Sequence, residues 1–266
     1  MSERSEYPHG VPCWVDTAQP DPDRAVDFYG RLFGWEFSDP GPMPTEPPGK
    51  YYVARLGGKD VAGVSSMPAG MGGSAVWSMY VSVQSADATA QGAAGAGGKL
   101  LTAPFDAPPA GRMAVLADPS GAAFCVWEAS DRTGSRLINE PNTWTMSVLH
   151  TDDVDSAKRF YNTLFGWETE RFGPEITLWR RPGYVGGEPQ QPVPRDVVAA
   201  LAGLPPGAPP HWQVDFRVAD ADATAASAES LGGHLVAPPQ DASGFRVTAV
   251  ADPQGAVFSA SALVMR

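Results

Sequence analysis

The sequence predicts an α+β protein of two tandem modules, each made of two βαβββ units, and three observations predict it. The phrase "DFYGRLFGWE" at Asp27 returns as "RFYNTLFGWE" at Arg159, so that Phe160 follows Phe28 by 132 residues. The phrase "ADPSGAAF" at Ala117 returns as "ADPQGAVF" at Ala251, 134 residues on. Between these anchors each half alternates strand-like and helix-like stretches in the same order. A repeat this long marks duplicated modules rather than a solenoid, whose units run about 20–50 residues.

The elements follow in order. "CWVDTAQPDPDRAVDFYGRLFGW" from Cys13 reads as a strand, then a turn whose Asp and Pro are start signals, then a helix with Ala25, Phe28 and Leu32 on one face and Gly34 as its stop. "YYVARLGG" from Tyr51 is a following strand. "WSMYVSVQSADATAQGAAGAGG" from Trp77 repeats the plan with an alternating strand, an Asp-containing start, an Ala-rich helix and a double-Gly stop. "AVLADP" and "GAAFCVWEA" complete the first module, residues 8–130. A polar, turn-rich linker covers 129–142, around "EASDRTGSRLINEPNTW". In the second module, residues 140–266, Asp153 or Asp155 starts the first helix and Gly166 stops it, and "WQVDFRVADADATAASAESLGG" repeats the second unit. One departure stands out. Where the first module has "SSMPAGMGGSAVW", the second carries the longer 188–210 stretch, in which "RDVVAALAGL" is a candidate apolar helix with Asp196 near its start. Such a piece could be a lid, a dimer contact or a surface embellishment.

Composition bounds the function. Hydrophobic residues at 43% and charged residues at 18% belong to a folded globular chain. A net charge of −11 repels phosphate backbones and anionic lipid, which sets aside nucleic acid and membrane as partners. The N-terminal stretch shows no apolar signal core, so the expected location is cytoplasmic, as a monomer or homodimer. Cys13 and Cys125 form neither a CxxC pair nor a disulfide framework and read as buried thiols.

Taken as a set, "FYGRLFGWEF" and "FYNTLFGWETE", "VSVQSADAT" and "FRVADADAT", and "LADPSGAAF" and "VADPQGAVF" resemble the vicinal oxygen chelate superfamily over almost the whole chain. That superfamily includes glyoxalase I, extradiol dioxygenases and the fosfomycin- and bleomycin-resistance proteins. The chain is most similar to its tandem-module actinobacterial members of glyoxalase-like or hydroxylase type, some of which sit in aromatic polyketide pathways. The resemblance implies paired units whose sheets curl into cups with helices outside, the units pairing within a module or across modules. It also implies where metal-dependent members keep their ligands. Those positions fall here on Trp14, Ser78 and Cys125, and on Met146, Gln213 and Ser259. They lack the His and carboxylate groups such a site requires, so no metal and no other cofactor is expected.

Strand parity assigns faces without any family knowledge. Val214, Phe216 and Val218, like Met79, Val81 and Val83, belong under the helices. Gln213, Asp215 and Arg217, like Ser78, Tyr80 and Ser82, face the cup. Trp14, Asp16, Tyr80 and Trp127 line the first module's cup by the same rule, with Met146, Val148 and His150 in the second and Trp144 at the strand edge. These aromatics suit a flat apolar ligand or plug the cup as core. The paired Trp35 and Trp167 read as core.

Asp16, Asp215 and His150 are the candidate catalytic groups, the carboxylates as proton acceptors raised by burial and His150 as an acid or base. For His150 the alternative is a hydrogen bond to the neighbouring "TDD" turn. Of the other histidines, His9 lies in the tail, His211 reads as a loop residue, and His234 as solvent-facing. Arg112 and Arg246, six residues before Asp118 and Asp252, are ligand contacts or the cations that pair with Asp16 and Asp215.

Three classes of function remain open at this point. The first is a metal-independent protein that holds an apolar or aromatic metabolite or antibiotic, for sequestration or for tailoring. The second is a lyase, isomerase or oxygenase with a metal on unfamiliar residues. The third is a structural or interaction protein whose cups are filled by side chains.

Overall fold

The computed structural model of the chain describes residues 3–43, 48–68, 74–173, 176–186 and 193–264. The first half runs β1 (Pro12–Gln19), α1 (Pro22–Phe33), β2 (Glu36–Phe37), β3 (Gly41–Met43), β4 (Gly49–Leu56), β5 (Lys59–Ser66), β6 (Val76–Ser82), α2 (Ala86–Gly95), β7 (Lys99–Ala107), β8 (Gly111–Ala117) and β9 (Ala123–Ala129). The second runs β10 (Thr143–His150), α3 (Val154–Phe165), β11 (Glu168–Phe172), β12 (Ile176–Arg180), β13 (Val197–Ala202), β14 (His211–Arg217), α4 (Ala221–Ser230), β15 (His234–Ala242), β16 (Phe245–Ala251) and β17 (Val257–Leu263).

Helix boundaries have local causes. The Asp21 side chain accepts from the Arg24 amide and Pro22 opens α1, while Gly34 closes it in the left-handed region at φ 69°. Asp153 and Gly166 do the same for α3. Ser85 and Asp220 cap α2 and α4. On α1 the buried face carries Ala25, Phe28, Tyr29 and Phe33, while Leu32 is only half-buried, because Tyr29 rather than Leu32 completes the apolar stripe.

Each half forms one sheet, ordered β2-β4-β5-β1-β6-β9-β8-β7, with β3 on β4, and β11-β12-β13-β10-β14-β17-β16-β15. In both, the two units meet through their first strands, β1 antiparallel to β6 and β10 antiparallel to β14. The units therefore pair within a module, and each cup is built from one half of the chain. The expected helix at "RDVVAALAGL" is instead strand β13, paired with β10 and β12. It is the counterpart of β5. A run of apolar residues this short, led by β-branched Val197 and Val198, serves strand or helix equally, and the vacancy beside β10 decides. Of the 188–210 stretch, read as a lid, a dimer contact or a surface embellishment, residues 188–192 lie outside the described part.

The helix-bearing faces of the two sheets turn toward each other around a shared aromatic core. Trp77 of the first sheet lies 5.0 Å from Phe216 of the second, and Phe33 of α1 packs on Phe216 and Phe258. Reciprocally, Phe160 and Phe165 of α3 pack on Phe124. Two polar pins repeat this exchange. Tyr29 donates to the Asp252 carboxyl at 2.8 Å and accepts from Trp77, while Tyr161 donates to the Asp118 carboxyl at 3.2 Å and accepts from Trp212. The remaining oxygens of both aspartates accept from backbone amides of their own Asp-Pro-x-Gly turns. Trp35 and Trp167 are core, each donating across to the other half at Asn142 and Gly10. The repeated aromatic phrase is thus the clasp between modules. No helix among the described residues is long and apolar enough to cross a membrane.

Candidate functional site

The concave faces look away from the shared core, and strand parity holds on both. Met79, Val81, Val83, Val214, Phe216 and Val218 are buried toward the helices. The two cups differ in what fills them.

In the first cup, Trp14, Asp16, Tyr80, Cys125 and Trp127 are all buried. Asp16 Oδ2 accepts from Tyr80 Oη at 2.8 Å and Tyr51 Oη at 3.1 Å, and Trp14 Nε1 donates to Tyr51 Oη at 2.9 Å. Tyr51 reaches Asp16 from β4 because Gly63, opposite Asp16 on β5, has no side chain. A Cβ there would lie 2.3 Å from the Tyr51 oxygen. Tyr80 meets Trp127 edge-on at 6.4 Å. Over this set passes the inter-module segment. Arg132 lies over the Trp14 ring at 5.9 Å and pairs with Asp60, its carbonyl accepts from Trp127 Nε1, and Ser135 bonds the carbonyls of Cys13 and Val61. Residues 132–136 strap the first cup shut. Burial pushes the Asp16 carboxyl up to about 6, against the two tyrosine hydroxyls that hold it down, and pushes the Cys125 thiol well up.

Strand for strand, the second cup replaces these side chains with smaller or more polar ones. The row Trp14, Tyr80, Cys125 becomes Met146, Asp215, Ser259, and Trp127 becomes Ser261. Met146, Val148, Gln213, Asp215 and Ser259 are half-buried rather than buried. The two carboxylates are not equivalent. Asp16 sits on β1, and its counterpart is Val148, whereas Asp215 sits on β14 opposite Met146. Asp215 Oδ2 accepts from Ser261 Oγ at 2.6 Å, while Oδ1 is shielded from solvent with no hydrogen-bond partner. Burial pushes this carboxyl up to about 7, with only Ser261 opposing. Gln213 Nε2 donates to Ser259 Oγ.

His150 lies at the end of β10, its Nδ1 2.9 Å from the Gly203 carbonyl, an arrangement that places the proton on Nδ1. It bonds there and not to the "TDD" turn. Its ring stacks on His211, centroids 5.0 Å apart, and burial lowers its pKa.

Arg112 and Arg246 do not reach the cups. They pair with Asp87 and Asp106, and with Asp222 and Asp241, on the helix-bearing faces at the first turns of α2 and α4. Parity carries the reason, since Arg112 alternates in phase with buried Ala114 and Leu116, and Arg246 with Thr248 and Val250. Asp16 and Asp215 therefore have hydroxyl partners rather than cationic ones. Trp144 is buried, its Nε1 on the Met146 carbonyl and Ser147. Three residues that shape the cups carry no signal in the sequence, namely Tyr51, Gly63 and Ser261.

At the positions where metal-dependent members of the fold keep ligands, the donor set does not fit a hard divalent cation. Trp14 and Cys125 are buried, Met146 offers a thioether, and Ser78 and Ser259 offer neutral hydroxyls, which leaves Gln213 as the one amide donor. Among the described residues no three His, Cys, Asp or Glu side chains converge.

Comparison with known proteins adds the following. The sequence profile of the Glyoxalase-like domain matches twice, at residues 14–127 and 146–261. Over 267 residues the chain is 38% identical to "Putative glyoxylase CFP32" of Mycobacterium tuberculosis, covering 97% of each. It is 34% identical over 276 residues to the anthracycline biosynthesis protein DauV of Streptomyces sp. strain C5, covering 96% of this chain and 94% of that one. Among solved structures it is similar in fold to the Mn(II)-bound glyoxalase of Novosphingobium aromaticivorans, with a TM-score of 0.63 at 16% identity, over 96% of this chain and 82% of that one.

Proposed function

Because the chain belongs to the glyoxalase-like family of the vicinal oxygen chelate superfamily, with two copies of its domain, we propose that the second cup binds a flat apolar or aromatic small molecule. The first cup, filled by its own side chains, then serves as the rigid half on which the second is mounted. One observation carries this reading: where Tyr80 and Trp127 close the first cup, Asp215 and Ser261 stand in the second. Met146 and Val148 supply apolar wall, and Gln213, Ser259 and Asp215 supply the few polar contacts that orient a ligand. His150 stands at the rim. The relationship to an anthracycline biosynthesis protein favours an aromatic polycycle, held for sequestration or for tailoring without a metal.

The test copies the first cup into the second. An anthraquinone aglycone is titrated into the wild type and into Ser261→Trp and Met146→Trp, with circular dichroism as the folding control. Filling the cup is expected to weaken binding at least tenfold in both. Full affinity in two folded variants would place the ligand elsewhere.

A further inference from the structure

Buried aspartates in this chain are otherwise well supplied. Asp118 and Asp252 accept from their turn amides and from the clasp tyrosines, and Asp16 accepts from two tyrosine hydroxyls. Half-buried Asp215 differs, as among the described residues its Oδ1 is the one carboxyl oxygen that is shielded and without a partner. An orphaned buried acceptor costs about 1–3 kcal/mol, which a hydrogen bond or a proton from a ligand would offset. Its setting defines that use. Ser259 is register partner to Asp215 on the adjacent strand, and because it accepts from Gln213 its own O–H remains to donate. A proton acceptor and a hydroxyl donor therefore stand about one strand spacing apart, roughly 4.8 Å. Met146 is the register partner of Asp215 on β10 and contributes a flexible apolar thioether to the same face.

We propose that Asp215 transfers a proton to and from carbon in an enolisable aromatic ketone held in the second cup, with Ser259 stabilising the oxygen. This rests on the reading of that cup as the ligand site. The Asp215 carboxylate takes a proton from the carbon next to the carbonyl. The C–H electron pair becomes a C=C bond, and the carbonyl π pair moves to oxygen, where the Ser259 hydroxyl donates. The proton held on Asp215 then returns to oxygen, giving the enol, or exchanges with solvent before a hydron is delivered back to carbon. The net change is an isomerisation and needs no oxidant, reductant or metal. A carboxyl raised toward neutrality by burial is well matched to this step.

The experiment uses 2-tetralone, a bicyclic aromatic ketone with acidic protons between ring and carbonyl, in D₂O buffer with the full chain. Proton NMR follows loss of the C1 signal, and ligand-observed saturation transfer measures binding separately. The wild type is expected to accelerate exchange over the buffer blank, with a rate that rises through pH about 7 and levels off above it. Asp215→Asn should lose about 100-fold in exchange at saturating 2-tetralone, the usual scale for one acid–base group, whatever it loses in affinity. Ser259→Ala should slow exchange with the pH midpoint unchanged. Binding without exchange in the wild type, or equal exchange in Asp215→Asn, overturns the proposal while leaving the binding reading intact. No binding of 2-tetralone by the wild type overturns both.

Discussion

Replacing Asp215 by Asn should make the protein more stable at alkaline pH and leave it no more stable in acid. The folded-state pKa of Asp215 is about 7, against an ordinary 3.8. Below about pH 4 the carboxyl is protonated in folded and unfolded chains alike, and burial costs nothing through ionisation. Between 4 and 7 the unfolded chain ionises while the folded one holds its proton, so the wild type loses stability as pH rises. Above 7 both are ionised, and the folded state carries the full cost of a shielded charge. At about 1.4 kcal/mol for each pH unit separating the two values, that cost reaches about 4 kcal/mol at most. The residue is half-buried, and partial solvation of its surroundings lowers the expected figure to about 2–4 kcal/mol. Asn stays neutral throughout, so the stability difference between variant and wild type should grow by that amount from pH 4 to pH 8. For a chain of this size that is roughly 4–12 °C in Tm. The new amide N–H of Asn adds a constant offset, and Asp16, raised to about 6, titrates alike in both proteins and drops out of the difference. Urea melts at pH 4, 6 and 8 read the slope directly. A difference independent of pH would refute the reasoning, because it would mean that Asp215 titrates normally in the fold.

Two further outcomes are expected. Tyr29→Phe removes the hydrogen bond to Asp252 and orphans the Trp77 N–H, so it should cost about 2–4 kcal/mol in chemical denaturation, and Tyr161→Phe should cost a similar amount. Trp14→Ala should cost about 3–5 kcal/mol as a buried aromatic truncation, yet leave anthraquinone affinity within twofold. Lost affinity with little lost stability would assign the ligand to the first cup.

The fold was legible because its determinants are periodic. Alternation on β14 placed Phe216 in the core and Asp215 in the cup with no further information, and the glycines after "LF" ended α1 and α3 where left-handed backbone was required. The contents of the cups were less legible, since they depend on side chains that no spacing links. Tyr51 reaches Asp16 from two strands away, over a glycine, and the strap at 132–136 is irregular chain with no pattern to read. The "RDVVAALAGL" run is a strand because β10 needs a parallel neighbour, a demand of sheet pairing that the run's own apolar pattern does not carry. The placement of Arg112 and Arg246 is legible in the same way, because their phase with buried Ala114, Leu116, Thr248 and Val250 puts them on the helix-bearing faces.

The crossed tyrosine clasps imply something about how such a chain could arise. Each module leans its first helix on the other module's second unit, so a lone module would leave Phe33 and Tyr29, or Phe165 and Tyr161, without the partners they bury against. Two identical copies would satisfy each other equally well, as a symmetric pair. Joining the copies end to end keeps every clasp while releasing the halves from having to be the same. A substitution in a symmetric pair alters both cups together, whereas in the joined chain one cup could accumulate tryptophan and tyrosine until it became a cornerstone, and its twin could keep the smaller, more polar Met146, Asp215, Ser259 and Ser261.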